Sequence, residues 1–172
     1  MKLRIPGIAA ALIVGLTAGA AAQSATNIGT FKDWNAFVSN DPDGKICFIA
    51  SQPKDSKYSK PVGGRDPAFF QITSIPTKSI RNEASSIVGY TFLANATVTV
   101  TIDGTPFKMF LDASHPDTAW SVPETEAALV EALKHGHTMT VEGTSKRNTT
   151  VSDTYSLSGI SAALDKITTE CP

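Results

Sequence analysis

Three histidines, two cysteines and one serine–lysine step are the residues of this chain whose types and spacing could do chemistry. Ser51-Gln-Pro-Lys54 fits Ser-x-x-Lys, in which a lysine can assist a serine nucleophile. No Lys-Thr-Gly follows it, and the four-residue pattern alone is common by chance. Gly143-Thr-Ser145 lacks the second glycine that a strained nucleophile elbow needs. His135-Gly-His137 offers two imidazoles to a zinc ion without a third ligand at tight spacing, and the negative end of a helix accounts for His135 as well. His115, between Asp112 and Asp117, joins a carboxylate or metal cluster only if the fold gathers all three.

Cys47 and Cys171 are too far apart for a redox Cys-x-x-Cys, and no glycine-rich phosphate loop is present. The carboxylates are scattered, so a pair set for sugar cleavage could arise only in three dimensions. Trp34 and Trp120 read as core aromatics before they read as ligand platforms. The residues therefore give no catalytic, cofactor-binding or metal site. The enzymatic alternative is an envelope hydrolase whose serine, carboxylate and His115 or His137 converge only in the fold.

The compartment is more legible than the chemistry. Met1 to Ala22 has a basic start at Lys2 and Arg4, an apolar run from Ile5 to Ala20, and small residues at Ala20 and Ala22. This is the pattern of a secretory signal peptide cut after Ala22. A membrane anchor competes poorly, because Pro6, Gly7, Gly15 and Gly19 interrupt the run. Cleavage leaves residues 23–172, 150 residues of the 172, enough for one domain with a full core. Loss of Lys2 and Arg4 takes the formal charge from −1 to −3. That mild acidity offers no field for nucleic acid, and no segment of the mature chain is expected to cross a membrane. Export also bears on Cys47 and Cys171: an oxidising compartment lets them pair as a disulfide, two buried free thiols being the alternative.

The elements that must position these residues are mostly strands. Gln23 to Thr30 is small and polar and reads as a frayed leader. Phe31 to Val38 reads as a strand, and the turn cluster Asn40 to Gly44 joins it to a second from Lys45 to Pro53. Lys54 to Pro67 reads as a loop, with Lys54, Lys57, Lys60 and Arg65 offset only by Asp55 and Asp66. It is either a solvated surface or a contact for an acidic partner. Ala68 to Ile75, Ile87 to Leu93, Thr97 to Ile102 and Pro106 to Leu111 read as strands, with Asp103-Gly104 as a hairpin turn. Ser121-Val-Pro-Glu124 reads as the capped start of a helix with Ala128, Leu129, Ala132 and Leu133 on its apolar stripe and Gly136 as its stop. Thr138 to Gly143 returns to strand, Lys146 to Asp153 reads as a polar turn, and a short helical segment carries Ile160, Ala163, Leu164 and Ile167. The fold class expected is all-β, a sandwich-like single domain with one flanking helix and a short C-terminal helical segment.

Several of these stretches, taken together, resemble the invasion-associated locus B family. They are Trp34, the strand Cys47-Phe-Ile-Ala-Ser-Gln-Pro53, Gly89-Tyr90-x-Phe92, Leu133-Lys-His-Gly136, and the run from Thr144 to Leu164 containing Tyr155-Ser-Leu-Ser-Gly159. The likeness covers nearly the whole mature chain, and its C-terminal run is the most specific part. It implies an exported, periplasmic or secreted protein of Gram-negative bacteria, linked in some pathogens to host-cell entry and without an established catalytic set. The partner it implies is an envelope or host protein of unknown identity. The chain departs from the family pattern at Asn148, where relatives often place glycine, and at Ile160, which replaces an aromatic. Phe37 stands where some relatives carry a cysteine, so no second disulfide is implied.

Overall fold

A computed structural model describes residues 25–42 and 44–172. The expected leader Met1 to Ala22 lies outside the described residues. Eleven strands form in chain order: β1 (Thr26–Phe31), β2 (Trp34–Asp41), β3 (Gly44–Ser51), β4 (Asp55–Tyr58), β5 (Phe69–Ile75), β6 (Ile80–Ile87), β7 (Val98–Ile102), β8 (Thr105–Leu111), β9 (Thr118–Ser121), β10 (Thr138–Thr144) and β11 (Thr150–Ser156). Helix α1 (Pro123–His135) sits between β9 and β10, and α2 (Ile160–Glu170) follows β11.

The all-β expectation with two helices holds, and its layers belong to one antiparallel sheet. The strand order is β1-β2-β3-β5-β6-β9-β8-β7-β10-β11-β4. In a flat sheet β5 and β11, six places apart, would lie roughly 29 Å from each other at normal strand spacing. Instead the Phe70 and Tyr155 rings meet edge-on at 6.1 Å, and the Trp34 indole donates to the Ser156 carbonyl at 3.0 Å. The sheet therefore folds over so that its two halves share one core.

Period-two alternation explains which side chains fill that core. Val98, Val100 and Ile102 are buried while Thr99 and Thr101 are half-buried, and Phe70, Ile72 and Ser74 repeat the pattern on β5. On β3 the inward face is that of Cys47 and Ile49. Cys171, just past α2, is disulfide-bonded to Cys47 with their Cα atoms 6.1 Å apart. α2 lies against β1, β2 and β3 and buries Ile160, Ala163, Leu164 and Ile167, the four positions the 3.6-residue period singles out. Gly159 enters this helix at φ +96°, and a Cβ there would stand 2.0 Å from the Phe31 carbonyl oxygen. Only glycine fits that junction.

Other expectations need correction. The stretch read as a frayed leader contains β1, which ends in a two-residue turn at Lys32-Asp33; the expected strand from Phe31 to Val38 is thus two strands. The loop from Lys54 to Pro67 contains β4, a polar strand that exists because β11 offers it a free edge. The strand expected from Ile87 to Leu93 is displaced toward β6, and β9 was not foreseen. The capping box is also replaced: Val122 is the N-cap, and the Ser121 hydroxyl instead donates to the Glu126 carboxylate and accepts the Ala84 N–H at 3.2 Å. The buried stripe of α1 is Leu129, Val130 and Leu133, with Ala128 exposed.

Candidate functional site

The residues singled out for chemistry are mostly tied into local structure. The Ser51 hydroxyl donates to the Asp33 carbonyl at 2.7 Å, while Lys54 forms an ion pair with the Asp33 carboxylate at 2.5 Å. The serine hydroxyl is thus directed at a backbone carbonyl and the lysine amine at a carboxylate, not at each other. Lys54 is also the main cause holding the Asp33 carboxyl below its ordinary range. His135 and His137 are 81% and 91% exposed and reach Glu131 and Asp103 respectively. Asp103 owes its lowered pKa first to the backbone N–H groups of His137 and Thr138, so it is a tether between the β7–β8 turn and β10.

His115 alone meets a serine and a carboxylate. It lines a groove of about 310 Å³ with Leu93, Leu111 and Pro116, and its Nδ1 is 3.0 Å from the Ser114 hydroxyl. That hydroxyl is 2.8 Å from Asp112 Oδ1, which also accepts the Ser114 N–H at 2.9 Å. The serine hydroxyl thus stands between a carboxylate and an imidazole whose donor or acceptor role is set by its tautomer. The three residues form an exposed turn. Among the described residues no group of three or more His, Cys, Asp or Glu side chains could hold a metal ion. Trp34 is a core aromatic, whereas Trp120 is half-buried outside the core, stacked on the exposed Phe110 with centroids 6.0 Å apart.

The arrangement with the most built geometry lies elsewhere, at the end of the sheet where β4 borders β11. Arg65, from the segment between β4 and β5, meets Asp153 of β11 as two parallel bonds, Nη1 to Oδ1 at 2.7 Å and Nη2 to Oδ2 at 2.5 Å. The two side chains are only 10% and 2% exposed. Arg65 Nε donates to the Val88 carbonyl at 2.6 Å, and Ser56 of β4 donates to Asp153 Oδ1 at 2.7 Å. The Tyr90 ring lies 5.3 Å from the guanidinium carbon, within cation–π range. Burial opposes the charge on Arg65, but Asp153 and Tyr58 outweigh it and raise its pKa. Burial likewise pushes the Tyr90 and Tyr155 phenols above their ordinary range. The Tyr155 hydroxyl has no hydrogen-bond partner among the described residues.

Above this pair opens a cleft of about 330 Å³, walled by Tyr58, Val62, Tyr90, Lys146 and Arg147 with Asp66 at its edge. The backbone fixes both walls. Gly89 has φ +68°, and a Cβ there would stand 2.1 Å from the Asp66 oxygen, so the two segments approach as only glycine allows. Lys146 N–H donates to the Thr91 carbonyl at 2.9 Å, and the β10–β11 turn closes through Ser145 N–H to Thr149 O at 2.9 Å. Asn148 takes the left-handed conformation at φ +57°, which asparagine adopts more readily than most residues with a side chain. The stretch from Lys54 to Pro67 thus contributes one buried arginine and one cleft wall. A lone arginine among lysines was the available signal, because only arginine has the planar fork that meets a carboxylate twice.

No curated protein matches the chain. The crystal structure of invasion associated protein B from Bartonella henselae shares the fold at a TM-score of 0.56 and 14% identity, over 82% of this chain and 95% of that one. Residues 34–168 match the family described as Invasion associated locus B (IalB) protein. That span takes in the Trp34 strand, the Cys47 strand, both sides of the cleft and most of α2, and by it the chain belongs to the invasion associated locus B family.

Proposed function

We propose that the protein is an exported, non-enzymatic interaction module of the bacterial envelope. In this reading Met1 to Ala22 is removed on export, residues 23–172 fold as one domain in the periplasm or outside the cell, and the partner is an envelope or host protein. The observation that carries it is the cleft above the Arg65–Asp153 pair. Its aromatic and aliphatic walls are preformed, and the charge of its buried arginine is already neutralised by Asp153. Such a site is suited to holding a partner group. Host contact is also what the printed name of the Bartonella protein suggests. A second reading, an envelope hydrolase, draws on the Asp112, Ser114 and His115 turn, where one serine hydroxyl lies 2.8 Å from a carboxylate oxygen and 3.0 Å from an imidazole nitrogen.

Site-specific photo-crosslinking in intact cells tests the proposal. A crosslinker at Val62 is expected to trap one discrete envelope or host protein, whereas one at Thr168 on α2 is not. A protein that stays in the cytoplasm, or that remains monomeric and uncrosslinked at every surface position, refutes it. Loss of a hydrolytic activity on Ser114→Ala would favour the second reading instead.

A further inference from the structure

The cleft also carries information about the chemistry of what it holds. Three large hydrophobic side chains are exposed among the described residues, and two of them, Tyr58 at 37% and Val62 at 42%, wall this cleft. Its occupant therefore brings an apolar group to cover them. Lys146 and Arg147 are exposed and form no ion pair among the described residues. Since Arg65 and Asp153 cancel, these two cations face only Asp66, and the cleft carries a net positive charge. Its occupant therefore also brings negative charge.

Three classes of ligand join negative charge to an apolar surface: an acidic saccharide, an anionic lipid and an acidic peptide. A saccharide needs fixed carboxylate or amide acceptors for its ring hydroxyls. Asp153 has both oxygens engaged by Arg65 and Ser56, which leaves Asp66 as the one carboxylate at the cleft. A lipid needs a continuous apolar channel for its acyl chain, and a cleft of about 330 Å³ bordered by Lys146, Arg147 and Asp66 does not supply one. A side chain such as phenylalanine or leucine, flanked by carboxylates, satisfies both requirements at that volume.

Resting on the interaction-module reading, we infer that the cleft walled by Tyr58, Val62, Tyr90, Lys146 and Arg147 binds an acidic peptide segment anchored by one apolar side chain. The apolar anchor packs between Tyr58 and Val62, and its flanking carboxylates face Lys146 and Arg147. The cations act mainly on encounter and selectivity, so binding weakens with salt.

The test uses the mature chain and a fluorescein-labelled, capped peptide of glutamates around one phenylalanine, with a lysine counterpart as control. Fluorescence anisotropy is expected to show saturable binding of the acidic peptide alone. K146E/R147E should weaken it roughly tenfold or more, because reversing rim charges sets like charges against each other. Val62→Asp should weaken it comparably, and both variants should keep the wild-type melting temperature. Equal binding of the two peptides, or no binding up to millimolar concentration, overturns the assignment. So does saturable binding of oligogalacturonate or phosphatidylglycerol vesicles where the acidic peptide fails. If the peptide fails while the crosslinker at Val62 still traps one discrete protein, the ligand class falls and the interaction-module reading stands.

Discussion

The Arg65–Asp153 pair supports a quantitative test. In Asp153→Ala a guanidinium that is only 10% exposed loses both of its carboxylate bonds, and the Ser56 hydroxyl loses its acceptor. Leaving one member of a buried ion pair uncompensated costs about 3–5 kcal/mol, far more than the ~0–1 kcal/mol of an exposed pair such as Lys134–Glu131. With a urea m-value of about 2 kcal/mol/M for a chain of this size, the midpoint should fall by roughly 1.5–2.5 M. Arg65→Met should cost a similar amount by stranding the carboxylate. The double variant Arg65→Met/Asp153→Leu should recover to within about 1 kcal/mol of wild type, since the desolvation penalty disappears together with the attraction. The assay is equilibrium urea unfolding followed by tryptophan fluorescence, with the disulfide kept oxidised throughout. A loss below about 1 kcal/mol in either single variant would refute the desolvated pair, and so would additive losses in the double variant.

Cys171→Ser should lower stability by about 3–5 kcal/mol by chain-entropy arithmetic for the closed loop, measured against the oxidised parent in the same denaturant series. Tyr155→Phe removes a buried hydroxyl that has no partner among the described residues, so calorimetry should show stability unchanged or raised by up to about 1 kcal/mol. Glu83 has its pKa raised, first by burial and then by Glu126. Its contribution is therefore present at acid pH and lost as pH rises through the raised folded value, and Glu83→Gln should stabilise the protein at neutral pH but not at pH 3. Equal melting shifts at both pH values would contradict that sign. Gly89→Ala should lose about 2 kcal/mol or more through left-handed backbone strain and the overlap with the Asp66 oxygen, read by thermal unfolding.

What the sequence discloses is what local chemistry determines. Asp103 and Gly104 both have positive φ, at 44° and 92°, as a two-residue hairpin turn demands, and the α2 stripe follows directly from helical period. What it conceals depends on distant partners. Asp55 and Lys57 of β4 are poor strand formers, and the segment becomes a strand because β11 has an edge to fill. Ser121 has the pattern of a helix cap, yet its hydroxyl is taken up by Ala84 of β6 and by Glu126. Asp153 was read as part of a polar turn, and its true partner lies 88 residues earlier in the chain. The cleft is invisible for the same reason: its walls come from three separated stretches, and no short pattern spans them.

The placement of β4 has a consequence in time. Its Ser56 stands 97 residues before the Asp153 it contacts, so this strand can dock only after the eleventh strand has formed. A four-residue strand at the end of the sheet, with three exposed residues, is also the piece that can detach first. Arg65 is then a latch: it pins the tail of a late-arriving segment to the body of the fold. In native-state hydrogen exchange, the amides of residues 55–58 should open together and well below the global unfolding free energy, exposing one wall of the cleft while the Trp34, Phe70 and Tyr155 core stays closed.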